Sequence, residues 1–360
     1  MLVGLDLEQA GLPAGLVGLT LGIGLAAASL TGLAAAALSA RYGRRVTLAL
    51  AGVLMAATGV DLAAANQPLV LTLSGVTGML GAASVDLGPF AAVEQATLAE
   101  SVPDRQRNRA FGRYSLTGGL FNAAGGLAAA LAGSHPRSFF FLYAALGLVT
   151  AALPLLMSSR VETSRGLPAF GRLRPLLGLS ALFALDSVGG GLVANAVIAY
   201  WLHVRFGASP ALLGPVFAAV ALLQSASYEV SGRLADRVGL INTMVFTHLP
   251  SNVLLLLVPF SPNLGWAVAL LLARFAMSQM DVPARQAYVV SIVPPSERAG
   301  AVAVTGAVRG VAQGLGAPLA GVAIGAAAFG LPFYAAGGLK IVYDLGLFAA
   351  FRGRRATHET

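Results

Sequence analysis

The feature that most constrains this chain is repetition: long apolar runs follow one another along its whole length, separated by short polar turns. About 20 apolar residues in a helix match the thickness of a hydrocarbon core. In lipid every backbone amide must find its partner inside the protein, which leaves helices or a closed barrel. These runs are too long and continuous for barrel strands, which alternate over roughly 10 residues. With 57% hydrophobic and 11% charged residues among 360, the chain reads as an all-α polytopic membrane protein.

The complete runs fall at 16–39, 46–60, 69–100, 107–132, 139–157, 176–200, 210–231, 240–260, 264–293, 298–328 and 331–351. Gly88-Pro89 interrupts the third, and a kink is expected there. Residues 1–10 are too short to span; Asp6, Glu8, Gly11 and Pro13 read as the outer end of a first helix and its turn. The expectation is a truncated first helix, with a reading frame extending upstream by roughly 20–30 residues. The stretch 158–175 is polar and basic, and reads as a linker between an N-terminal bundle, 1–157, and a C-terminal bundle, 176–360.

The net charge of +8 does not point to nucleic acid, because the arginines occupy alternate loops rather than one patch. One set of loops carries Arg41, Arg44, Arg45, Arg105, Arg107, Arg160, Arg172, Arg233, Arg237 and the tail Arg352, Arg354 and Arg355, while the other carries only Arg137 and Arg205. Basic residues in short loops face the cytoplasm, so the C-terminus is expected there, in a multi-pass protein of the cytoplasmic (inner) membrane. With no cysteine and no histidine cluster, no metal site is expected. No Gly-rich phosphate loop or nucleophile–base spacing is visible, so neither an enzyme nor a cofactor is expected.

Two turns stand in matching places. Residues 232–239 read GRLADRVG, and residues 36–45 read AALSARYGRR, each between two apolar runs. The second keeps Gly232, Asp236, Arg237 and Gly239 but has Leu240 and Ile241 where basic residues are expected. The first keeps Arg41, Gly43, Arg44 and Arg45 but has Ala40 at the acidic position. Both resemble the basic loop between spans two and three, and its weaker copy between spans eight and nine, of the major facilitator superfamily of secondary transporters. Glu94-Gln95 before Val102-Pro103 and Arg285-Gln286 before Val293-Pro294 share one interval, as a parallel repeat of two halves would give. The resemblance implies two pseudo-symmetric six-helix bundles that rock about a mid-membrane site, in a monomer. It also implies that the hairpins are cytoplasmic and that their charges close the inner face. Glu94, Glu229 and Arg285 are read as further groups of that gate. The plainer reading is a topological hairpin with no gating part.

Charges within the runs carry the functional argument, since an ionisable group in hydrocarbon is costly and must face protein or water. The basic ones are Arg274, Arg309 and Lys340; the acids include Asp86, Asp186, Asp281 and Asp344. Arg274, Ser278, Asp281 and Arg285 share one helical face and are expected to line a polar path, or to pair with one another. Thr305, Arg309 and Gln313 form another such stripe. Asp186 precedes three glycines and is a candidate for the coupled proton, with a fixed bond to Arg274 or Arg309 as the alternative. Asp86 lies nearer the basic end beside Gly88-Pro89. Lys340 and Asp344, at i and i+4, read as a self-neutralising pair. His203 and His248 read as interfacial. The expected function is proton-coupled movement of small organic solutes by alternating access, with efflux favoured. The alternatives are uptake of a small organic anion and a non-transporting membrane sensor or truncated remnant.

Overall fold

The computed structural model describes residues 14–64, 74–79, 88–130, 136–162, 174–294 and 297–352. These are helical throughout, with no strand among them. Five helices come first: α1 (Ala14–Tyr42), α2 (Arg44–Ala64), α3 (Pro89–Ser101), α4 (Arg107–Ala130) and α5 (Pro136–Ala152). The rest are α6 (Arg174–Leu192), α7 (Asn195–Phe206), α8 (Pro210–Val238), α9 (Leu240–Leu257), α10 (Leu264–Ser278), α11 (Asp281–Ser291), α12 (Arg298–Gly325) and α13 (Leu331–Phe351). Seven stretches among the described residues are long and apolar enough to cross a bilayer, among them 176–206, which joins α6 to α7.

Both basic hairpins turn on a glycine. Gly43, between α1 and α2, has φ 91°, and Gly239, between α8 and α9, has φ 87°. Only glycine enters that region without strain. A Cβ on Gly43 would also stand 2.6 Å from the Glu162 carboxylate. Lipid supplies no drive for helices to associate, so close approach through small residues does the joining. On α2, a Cβ at Gly52 would lie 2.4 Å from the Ala151 nitrogen of α5.

Two apolar clusters divide the interior. The one at the hairpin end draws Ala36, Ala92 and Phe111 from the first five helices and Phe183, Met244, Tyr288 and Phe351 from the later ones. It therefore seals the two bundles together at that end. The other belongs to the later helices alone, around Trp201, Phe275 and Phe333, with the Trp201 and Phe333 rings 4.6 Å apart.

Two expectations about the helices need correction. The run 264–293 is not one helix: it breaks at Gln279 and Met280. Pro283 then sits in the first turn of α11, where its missing N–H costs nothing, and Asp281 supplies the acid favoured there. The run beginning near 176 opens at Arg174, breaks at Val193 and Ala194, and continues to Phe206. α3 opens at Gly88-Pro89, with Gly88 at φ 106° and Pro89 in the first turn, while residues 80–87 lie outside the described ones.

Candidate functional site

The buried charges of the later helices converge. Asp186 projects from α6 and accepts a hydrogen bond from Lys340 Nζ of α13 at 2.6 Å. One helical turn on, Asp344 accepts from Asn252 Nδ2 of α9 at 2.9 Å. His248, on the same face of α9 as Asn252, places Nδ1 2.9 Å from Asp344 Oδ1. Its Nε2 lies 3.8 Å from Asp186 Oδ1. Asp344 and Asn252 are 0% exposed, and His248, Lys340 and Asp186 no more than 7%. Three helices thus hold one closed polar network in an apolar bundle. The geometry corrects two readings: Lys340 and Asp344 do not neutralise each other but bond to different helices, and His248 is buried rather than interfacial. Position i+4 placed the two α13 groups on one face, and long-range partners on α6 and α9 filled it.

Arg274, on α10, is the neighbour of this network. It is 5% exposed, its guanidinium lies 4.7 Å from the Phe275 ring centre, and its Nε and Nη1 have no hydrogen-bond partner among the described residues. Asp186 acts on it electrostatically across the bundle without bonding to it. Ser278, one turn further along α10, is buried with its hydroxyl also unbonded. Beyond the helix break, Asp281 accepts from Arg285 Nη1 at 2.6 Å, and Arg285 stands over the Phe183 ring. The expected stripe is therefore divided, with an open pair on α10 and a closed pair on α11.

A cavity between the bundles is lined by Gln95 of α3, Phe183 of α6, Arg285 and Gln286 of α11, and Thr305 and Arg309 of α12. Gln313 lies further along α12, where its carbonyl oxygen would be 2.1 Å from a Cβ on Gly191. The third of the three glycines after Asp186 thus lets α6 and α12 touch backbone to backbone. Glu94 accepts a hydrogen bond from the Tyr114 hydroxyl at 2.6 Å. Asp86 lies outside the described residues, as do residues 1–13 and most of the linker.

At the hairpin end the two turns hold different partners. Arg44 is 5% exposed and makes a bidentate bond to Glu100, at 2.9 and 2.8 Å. The Glu162 carboxylate caps α2, accepting from the Arg44 and Arg45 backbone N–H groups at 2.7 and 3.1 Å. Arg45 reaches the Pro154 carbonyl at 3.2 Å, and Arg41 lies over its neighbour Tyr42. The second turn instead crosses between bundles: Asp236 accepts from Arg109 Nε of α4 at 2.7 Å, and the Gly232 carbonyl accepts from Asn108 Nδ2 at 2.8 Å. Arg233 bonds to Glu229 on its own helix at 3.2 Å, while Arg237 is exposed. Arg109, His248 and Glu162 were not among the site residues read from sequence. His248 and Asn252 at i and i+4 in an apolar run were the available signal for one of them.

Helices of membrane length that keep charges buried between them, with a cavity where two bundles meet, are the construction of a solute carrier. The family model of the Major Facilitator Superfamily matches residues 2–204 and 179–360, and the chain belongs to that superfamily. It is 22% identical to the uncharacterized membrane protein YJR124C of Saccharomyces cerevisiae, over 87% of this chain and 81% of that one. Its fold is similar to that of the human organic anion transporter MFSD10 (TETRAN), with TM-score 0.75 and 17% identity over 96% of this chain and 88% of that one. It is also similar to the proton:xylose symporter XylE, with TM-score 0.74 and 17% identity over 97% of this chain and 93% of that one. The chain is a secondary transporter of the major facilitator fold, two helix bundles with about eleven spans.

Proposed function

We propose that this transporter couples protons to the movement of small organic solutes that carry an anionic group. The observation that carries the reading is Arg274: a guanidinium withdrawn from water, with two nitrogens unbonded, beside a closed network that already satisfies the neighbouring acids. A buried donor without an acceptor is costly, and an arriving carboxylate, sulfonate or phosphate would complete it. The two solved relatives handle different solutes, so the fold leaves the substrate open and Arg274 decides it. Ser278 supplies a second donor on the same face. Asp186, Lys340, His248 and Asp344 form the coupling element, and Arg309 and Gln313 belong to the path along α12.

The bundles divide at the linker 158–175, into 1–157 and 176–360. The hairpins and the C-terminus face the cytoplasm of a cell whose inner membrane holds the chain as a monomer. Arg41, Gly43, Arg44, Arg45, Glu94, Glu229, Gly232, Asp236, Arg237 and Arg285 serve the inner gate, and net movement follows the proton gradient. The test is flux in proteoliposomes of the full chain, measured from both sides, with and without a pH gradient. The panel sets naphthalene-1-sulfonate and benzoate against xylose and tetraethylammonium. The anions are expected to move, and Arg274→Gln to lose that movement at unchanged expression. Equal handling of neutral, cationic and anionic solutes by both proteins would overturn the assignment.

A further inference from the structure

Asp186 is the acid a sequence reader chooses for the proton, but the structure gives it a fixed task. It is bonded to Lys340 at 2.6 Å, and a carboxylate so paired stays ionised. His248 is placed differently. Its Nδ1 lies 2.9 Å from Asp344 Oδ1 and 3.2 Å from Asn252 Nδ2, but Asn252 already donates to Asp344 Oδ2 at 2.9 Å and a carboxylate oxygen only accepts, so Nδ1 carries the hydrogen. The other ring nitrogen, Nε2, is then a bare lone pair in the neutral ring, and it faces Asp186 at 3.8 Å. A proton added there becomes an N–H aimed at a carboxylate, while the bond to Asp344 stays as it was. The imidazolium would lie between two acids.

The groups facing His248 are few. Lys340, Tyr343 and Asp344 come from α13, with the Tyr343 ring edge-on at 5.8 Å, and Asp186 comes from α6. Arg274 of α10 and Arg285 of α11 act on Asp186 from the far side. Arg285 is neutralised by Asp281. With His248 neutral, the two acids Asp186 and Asp344 balance Lys340 and Arg274, and protonation leaves one positive charge in excess. A monovalent anion at Arg274 removes that excess.

We propose that His248, held by Asp344 and Asn252, carries the coupled proton on Nε2, and that one proton moves with one monovalent anion because only that pairing keeps the cluster neutral. This rests on the anion reading of Arg274. Phe183, which lines the cavity, packs on Tyr343 at 6.3 Å, so one aromatic layer separates the cavity from the histidine.

Two measurements on the full chain in lipid test it. In the first, the imidazole nitrogens are followed by NMR with labelled histidine, and His248→Gln identifies the signal. The His248 signal is expected to pass from the neutral to the imidazolium form as the pH is lowered; a ring fixed in one state throughout would overturn the proposal. In the second, naphthalene-1-sulfonate is the probe in proteoliposomes. His248→Gln and Asp344→Asn are each expected to lose accumulation driven by a pH gradient, down to the level of protein-free vesicles, while sulfonate exchange persists. Accumulation that survives in His248→Gln would also overturn it. A wild-type protein that moves no sulfonate would defeat the anion reading and the pairing of charges, while the NMR measurement still decides whether His248 takes the proton.

Discussion

Removing the charge of Lys340 should expose how much the buried network depends on pairing. Lys340→Met keeps most of the side-chain volume and leaves Asp186 as a buried carboxylate without its 2.6 Å partner. The two side chains are 7% and 9% exposed, so water cannot replace the lost bond. Breaking a buried pair from one side costs about 3–5 kcal/mol, whereas replacing both partners by apolar groups is often neutral. His248 Nε2, 3.8 Å away, offers partial compensation by taking up a proton, which places the cost near the low end, about 3 kcal/mol. Asp186→Leu alone should cost a similar amount, because Lys340 is then buried without its acid. The double variant should fall within about 1 kcal/mol of the wild type, so the two changes couple by several kcal/mol. Reversible unfolding in mixed micelles, followed through Trp201 and Trp266, the chain's two tryptophans, measures all four corners of the cycle. Simple addition of the two single losses in the double variant would refute the argument, since it would mean that neither charge stabilises the other.

The remaining predictions concern helix contacts. Arg109→Gln should raise the accessibility of engineered cysteines in the cavity from the hairpin side, read by maleimide labelling against a background with no native cysteine, and unchanged labelling would make the contact ornamental. Gly191→Val should prevent α6 from seating on α12, because even a Cβ there meets the Gln313 carbonyl at 2.1 Å; the expected result is loss of monodisperse protein on size exclusion.

Which parts of this structure were legible in the sequence follows from the range of each interaction. Runs of apolar residues and their loops are local, so the helices and both hairpins could be read directly. That Asp186 and Arg274 lie buried inside the protein also followed from local cost, since each is a charge in an apolar run. Partner choice is not local: Lys340 bonds to a residue 154 positions away, not to Asp344 one turn along. His248 escaped because its spacing to Asn252 marks one face of α9 but names no acid for that face until α13 is folded beside it. Nothing local distinguishes Arg109 from the other arginines near it, and only the packing of α4 on α8 sets it opposite Asp236. The break at Gln279 could have been anticipated from Pro283 and Asp281, which together make a helix start, had the run not been taken as one span.

The two hairpins descend from one pattern, yet their hardware differs. The first is riveted: Arg44 and Arg45 are bound to Glu100, to Glu162 at the start of the linker and to backbone carbonyls at 154–161, and none of those contacts reaches the other bundle. The second is a toggle, whose Arg109 and Asp236 side chains are 63% and 29% exposed and belong to opposite bundles. A pair so exposed holds with no more than about 1 kcal/mol and is screened beyond about 8 Å at physiological ionic strength. Under the proposed rocking motion, the charge contact broken on every cycle is thus the cheapest to break, and the costly ones are never touched. The salt content of the compartment facing the hairpins then becomes a tuning knob for the resting conformation, loosening the toggle while leaving the rivets as they are.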